Sequence, residues 1–144
     1  MSVPEFWLAA VHESGHIVAN LQRGNGVVDA WINPDGTGGC QPRGRGCVIG
    51  CLAGPVAEWK ITHRTGLPTP ADFQRSTVVA DVKRATVLLG SDDHGLLLRC
   101  WIEARELLDR EWRAVMRLTE ALVRYDRLSG ERAERIWRGT PRGP

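Results

Sequence analysis

Two histidines four residues apart, with a glutamate beside the first, are the residues of this chain best suited to chemistry: His12-Glu13-Ser14-Gly15-His16. On a helix running from residue 4 to about 23, both imidazoles project from one face, one turn apart, within reach of a single ion. Glu13 then points beside that ion. A zinc ion held this way lowers the pKa of a bound water to roughly 7, and a nearby carboxylate can take the proton as the water attacks a carbonyl. The spacing therefore suggests metal-assisted hydrolysis, with His12 and His16 as metal ligands and Glu13 as general base. Such a motif is short enough to arise by chance, so its surroundings matter. Phe6, Trp7, Ala9, Ala10, Val11, Ile17, Val18 and Leu21 make the helix apolar on most sides, and polar groups set among them need partners, because leaving them unpaired is costly.

The rest of the chain must supply the elements that position this motif. A length of 144 residues predicts one domain with a core of its own, and 42% hydrophobic with 25% charged residues is the balance of an ordinary soluble globular protein. A formal net charge of +2 gives no argument for a nucleic-acid partner. No apolar run approaches the roughly 18 residues a membrane span needs. The start carries Glu5 where a signal peptide would carry a basic region, so a cytoplasmic location without a membrane partner is expected. There is no G-x-x-x-x-G-K-[ST] loop, and any ATP-driven step would come from another chain. Among Cys40, Cys47, Cys51 and Cys100, no pair has the C-x-x-C spacing, and buried free thiols are expected.

Ser2 or Pro4 should begin the first helix and Gly24-Asn25-Gly26 should end it. Val27 to Asn33, β-branched and aromatic, reads as a strand or half of a small hairpin, whose edge could hold an extended peptide. Residues 34–46, dense in Gly, Pro and Arg, are expected to form a mobile loop. Residues 47–60 read as a second helix. Its Gly50, Ala53, Gly54 and Ala57 recur at three- and four-residue steps, which permits close approach to the metal helix at Gly15 and Ala19. Pro55 should kink this helix or mark its start. Glu58 closes the small-residue face, placed either to reach the metal or to orient a histidine. A third helix over about residues 76–89 has Asp81 in its middle. Ser91-Asp92-Asp93-His94-Gly95 breaks it, and the apolar spacing from residue 96 to about 127 predicts one long amphipathic helix. Ser129 should cap a last short helix over residues 131–138, with residues 139–144 frayed.

Together these motifs resemble the peptidase domain of the FtsH-type AAA proteases and its small stand-alone relatives. HESGH at 12–16 matches the family's zinc motif, LAGPVAE at 52–58 resembles its GGRxAE helix, and a D-[hydrophobic]-x-x-[AS]-T string follows. The resemblance covers residues 5 to about 125, with the identities confined to those three strings. It implies a mainly α, zincin-like helical peptidase domain with a small β-strand or hairpin after the metal-binding helix. It further implies Zn2+ as cofactor, ligation by His12 and His16, Glu13 as general base, and an aspartate as third ligand. Asp81-Val82-Lys83-Arg84-Ala85-Thr86 matches the aspartate string almost residue for residue. Asp72-Phe73-Gln74-Arg75-Ser76-Thr77 matches more loosely, at a spacing from Glu58 closer to the family's. Asp81 is favoured, because the helical register after it fits the small relatives and a helix holds a ligand more rigidly than a loop. Asp72 and then Glu58 are the alternatives. The implied activity is a zinc-dependent metalloendopeptidase acting on unfolded or flexible polypeptide. The ATPase module of FtsH is absent from these residues, so a separate ATPase or homo-oligomerisation is the partner expected. The alternative is a non-catalytic zinc-binding interaction or regulatory module of the same fold, with Cys40 or His63 closing the site as fourth ligand. Glu13 argues against that, because a structural site has no need of a base.

Overall fold

The computed structural model describes residues 3–63 and 65–141. Ser2 and the last residues expected to fray, 142–144, lie outside the described residues. Helix α1 (Glu5–Gln22) follows Pro4, which is extended at φ −57° and ψ 139° while its carbonyl accepts from Leu8 N–H at 3.0 Å. Every residue from 9 to 21 is buried. α1 is thus the central rod of the molecule, as its all-round apolar and small-residue composition requires. Gly24 and Gly26 end it at φ 81° and 74°, a region that side chains with a Cβ rarely enter.

β1 (Val27–Ile32) is the middle strand of a three-stranded antiparallel sheet of order β2-β1-β3. β2 (Gly38–Pro42) falls inside the stretch expected to be a mobile loop, paired from Ile32 opposite Gly38 to Val27 opposite Pro42. Its glycines have a packing reason. A Cβ at Gly39 would lie 2.4 Å from the Trp31 ring, and one at Gly38 would lie 2.6 Å from Trp31 O. β3 (Arg127–Ser129) closes the other side of β1, with Leu128 opposite Ala30.

Helix α2 (Val48–Thr62) begins where Cys47 Sγ accepts from Gly50 N–H at 3.2 Å. It continues past Pro55, which is neither its start nor its end and which brings no N–H to the carbonyl four residues earlier. Its small residues lie directly on α1: a Cβ on Gly15 would come within 2.5 Å of Ala53 O and 2.8 Å of Ala57 Cβ. Beyond a single 3-10 turn at Asp72–Gln74, helix α3 (Val79–Leu89) starts three residues later than its pattern suggests. Arg75 O there accepts from both Val78 and Val79 N–H, a turn that frees Ser76 and Thr77 from the helix.

The long helix expected over residues 96–127 is two helices, α4 (His94–Arg110) and α5 (Trp112–Tyr125). The break is at Glu111, where φ −108° and ψ 15° interrupt the helix and one N–H is shared between Leu107 O and Leu108 O at 3.1 Å each. No glycine or proline marks it. Packing provides the cause: α4 lies against α2 while α5 lies against α1, so the chain turns to cover both. Trp101, 1% exposed, is core, whereas half-buried Trp112 carries the Lys60 ammonium 4.8 Å above its ring. Helix α6 (Gly130–Arg138) is capped as expected by Ser129 Oγ, which accepts from Arg132 N–H at 3.1 Å. The described chain is mainly helical with one small antiparallel sheet. Among the described residues no helix is long and apolar enough to cross a membrane.

Candidate metal centre

His12, Glu13 and His16 sit in the middle of α1 with exposures of 7, 6 and 8%. The i, i+4 spacing does what it should: the two Nε2 atoms lie 3.2 Å apart, with the ring planes at 68°. Each ring is oriented through its other nitrogen. His16 Nδ1–H donates to Gly50 O at 2.7 Å, and His12 Nδ1 faces Glu58 Oε1 at 3.5 Å. Glu58 is itself steadied by the Thr77 hydroxyl, which donates to Oε2 at 3.2 Å. With Nδ1 of His16 turned to Gly50 O and Nδ1 of His12 turned to Glu58, the Nε2 atoms of both rings face a common point.

Asp81 Oδ2, carried in from α3, completes a triangle at 2.8 Å from His12 Nε2 and 3.2 Å from His16 Nε2. Ligand atoms held 2.0–2.1 Å from a tetrahedral zinc lie about 3.3 Å from one another. Three lone-pair-bearing atoms this close repel unless a cation or a proton sits among them. The triangle has the size, the atom types and the open fourth side that zinc takes. The Glu13 carboxylate stands beside it, one of its oxygens and the histidine nitrogens all lying within 4.8 Å of one another. No family model matches this chain, and no curated protein matches it. The chemistry of the site is therefore carried by these atoms alone.

The competing occupant of the triangle is a proton. Burial works against a charged imidazole at His12, but the hydrogen bonds to Asp81 and Glu58 outweigh it and raise the group to about 10. His16 is raised as well, its burial outweighed by Asp81. Burial would raise Asp81, yet the two imidazoles hold it well below the usual carboxylate range. At neutral pH the metal-free triangle thus holds a proton on histidine against an ionised Asp81, and an entering metal must expel it. The sign follows: acid favours the proton and alkali favours the metal. Zinc affinity is expected to fall by about tenfold per pH unit for each proton displaced as the pH drops below the raised imidazole values. Calorimetric titration in two buffers of different ionisation heat reads this as released protons, and an affinity that is flat from about pH 6 to 8 would contradict it.

The triangle opens into a cleft of about 660 Å³ lined by α1, β2, the start of α2 and the beginning of α3. Glu13 reaches across it to the sheet, with Oε2 3.2 Å from where a Cβ on Gly38 would be. Burial, only partly offset by the two histidines, raises Glu13 above an ordinary glutamate and so makes it a stronger base. Of the other sequence candidates, Asp72 is not brought here. Its Oδ2 accepts instead from Thr69 N–H at 2.8 Å and Thr69 Oγ1–H at 3.0 Å, holding its own turn. Glu58 lies behind His12 in the orienting position. Neither proposed fourth ligand joins the group: His63 stacks on Trp59 with centroids 3.6 Å apart, and Cys40 lines the cleft as a free thiol. Burial pushes Cys40 up, and Cys51 up to about 11, so both are neutral thiols at pH 7.

The roles of three contributors escaped the sequence reading. Gly54 was recognised as a small packing residue, but a Cβ there would fall 2.2 Å from His16 Nε2, the nitrogen that forms one corner of the triangle. Thr77, whose hydroxyl ties the turn before α3 to Glu58, stood in the sequence only as the last residue of the Asp72–Thr77 string, with no role assigned to it. Gly50 combines both effects, offering His16 its carbonyl while a Cβ would crowd Asn20 Oδ1 at 2.7 Å.

Proposed function

We propose that this chain is a zinc-dependent metalloendopeptidase of zincin-like fold, related to the FtsH-type peptidase domain, that hydrolyses unfolded or flexible polypeptides. One observation carries the proposal: three ligand atoms of His12, His16 and Asp81 converge within 3.2 Å, open to a cleft that also holds a buried carboxylate. A bound zinc ion supplies Lewis-acid chemistry there, acidifying water and polarising a carbonyl. The chain's own residues do the rest. His16 is held by Gly50 O and His12 by Glu58, so both rings keep their Nε2 atoms aimed without reorganising. Glu13 takes a proton from water on the cleft side and delivers it to the departing amine nitrogen, the two transfers a peptide hydrolysis needs.

The sheet supports polypeptide as the substrate. β2 is an edge strand, and Asn33 N–H bonding to Thr37 O sets the ladder's alternation. In that alternation Gly39 and Gln41 face β1 while the backbone N–H and C=O of Gly38 and Cys40 turn to the open edge. Gly38 and Cys40 also line the cleft. An extended peptide pairing with that edge runs past Glu13, whereas a folded domain offers no such strand. A separate ATPase or a homo-oligomer that delivers unfolded chain, and a cytoplasmic setting, belong to the same proposal. The test is hydrolysis of an unfolded casein-type substrate by the purified protein. Cleavage should vanish with a chelator and return on adding about one equivalent of zinc. Cleavage that survives chelation, or none with zinc restored, contradicts the proposal.

A further inference from the structure

Among the described residues the cleft is lined by one permanently charged cation besides the site's histidines. Arg84 lies one helical turn beyond Asp81 on α3 and lines the same cleft. It is an exposed residue at the rim of the cleft that Glu13 of α1, Cys40 of β2 and Cys51 of α2 also line. Glu13 shares the cleft without an ion pair to Arg84, and most of the other carboxylates there are held elsewhere. Asp81 is held by the two histidines and Glu58 by His12 and Thr77. Asp35 accepts from Thr37, and Glu5 lies against Gly36. Among the described residues no carboxylate forms an ion pair with Arg84, and no hydrogen bond holds its guanidinium.

We infer that Arg84 is a substrate-binding residue that takes a carboxylate of the bound polypeptide, in a cleft whose other charged side chains, the metal-site histidines apart, are acidic. A guanidinium grips a carboxylate through two parallel N–H bonds, which fixes direction as well as charge. The opposing acidic groups, Glu5 and Asp35, make other parts of the cleft unfavourable to an anion. The carboxylate therefore seats at the α3 end, next to the metal triangle. It can come from an aspartate or glutamate side chain or from a free C-terminus, since both present the same two oxygens. The inference rests on the peptidase proposal for its substrate, but its binding arm can be read without turnover.

The experiment uses four short fluorescent peptides of one sequence, carrying Glu or Gln at one internal position and a free or amidated C-terminus. Zinc-loaded wild type and Arg84→Gln are compared by kcat/KM, and the Glu13→Gln protein, alone and combined with Arg84→Gln, by fluorescence anisotropy. In wild type, one of the two carboxylates is expected to improve kcat/KM and binding on the order of tenfold over its neutral counterpart. Arg84→Gln should erase that ratio and Arg84→Lys should restore part of it. The peptide pair that shows the ratio identifies the source of the carboxylate. Equal ratios in wild type and Arg84→Gln overturn the inference. A loss shared by all four peptides also overturns it, in favour of a role in stabilising the reacting carbonyl. If no peptide is cleaved, the peptidase proposal falls, and anisotropy still decides for or against Arg84.

Discussion

Gly54→Ala is expected to strip the protein of its metal affinity. On a bare helix the substitution is favourable by about 1 kcal/mol, because alanine is the better helix former. Here the added methyl would lie 2.2 Å from His16 Nε2 and 2.6 Å from His16 Cδ2, distances that no side-chain contact tolerates. The ring cannot step aside freely, because Nδ1 is tied to Gly50 O one turn earlier on the same helix. Nor can α2 move back cheaply, since retreat would open the close seam in which Gly15 leaves no room for a Cβ against Ala53 and Ala57. Overpacking costs of roughly 1–3 kcal/mol outweigh the propensity gain, and the displaced imidazole leaves the triangle. Zinc affinity should fall by on the order of a hundredfold or more, read by competition with a chromophoric chelator, alongside a lowered Tm of the metal-free protein. Affinity equal to wild type would mean that His16 does not bind the metal through Nε2.

Glu13→Gln separates metal binding from catalysis. Glutamine has the same shape, stays beside Gly38 and leaves the triangle of His12, His16 and Asp81 intact, but it cannot accept a proton. Zinc content should be unchanged while kcat falls by about 10²–10⁴ fold, the range seen for loss of a positioned general base. Side-by-side zinc analysis and casein hydrolysis check it. Full activity in Glu13→Gln would remove this carboxylate from the mechanism.

The histidine pair was legible because its spacing needs only a helix, and the apolar residues around it made the helix plain. The third corner of the triangle was harder. Asp81 is 65 residues from His16 in the chain, no periodicity links them, and only the resemblance of one short string favoured it over Asp72. The structure separates these two aspartates by their partners: one faces imidazoles, the other caps a threonine turn. β2 was invisible because glycine and proline read as loop, whereas here the glycines are what let a strand lie across Trp31. The break at Glu111 left no mark because both sides keep helix-forming residues and the same apolar spacing. It is imposed by what the two halves cover, a tertiary demand that local sequence does not carry. For the same reason the small residues of α2 could be read as a packing face, but the seat that Gly54 makes for the His16 ring could not.

The most direct test of the account is zinc per chain, by elemental analysis of the wild-type protein and of Asp81→Ala after dialysis against metal-free buffer. About one zinc in the wild type and little in Asp81→Ala, with both proteins folded, is the predicted result for a three-ligand site. Absence of zinc from the wild type after reloading, or full retention in Asp81→Ala, would contradict the claim that His12, His16 and Asp81 form one metal centre.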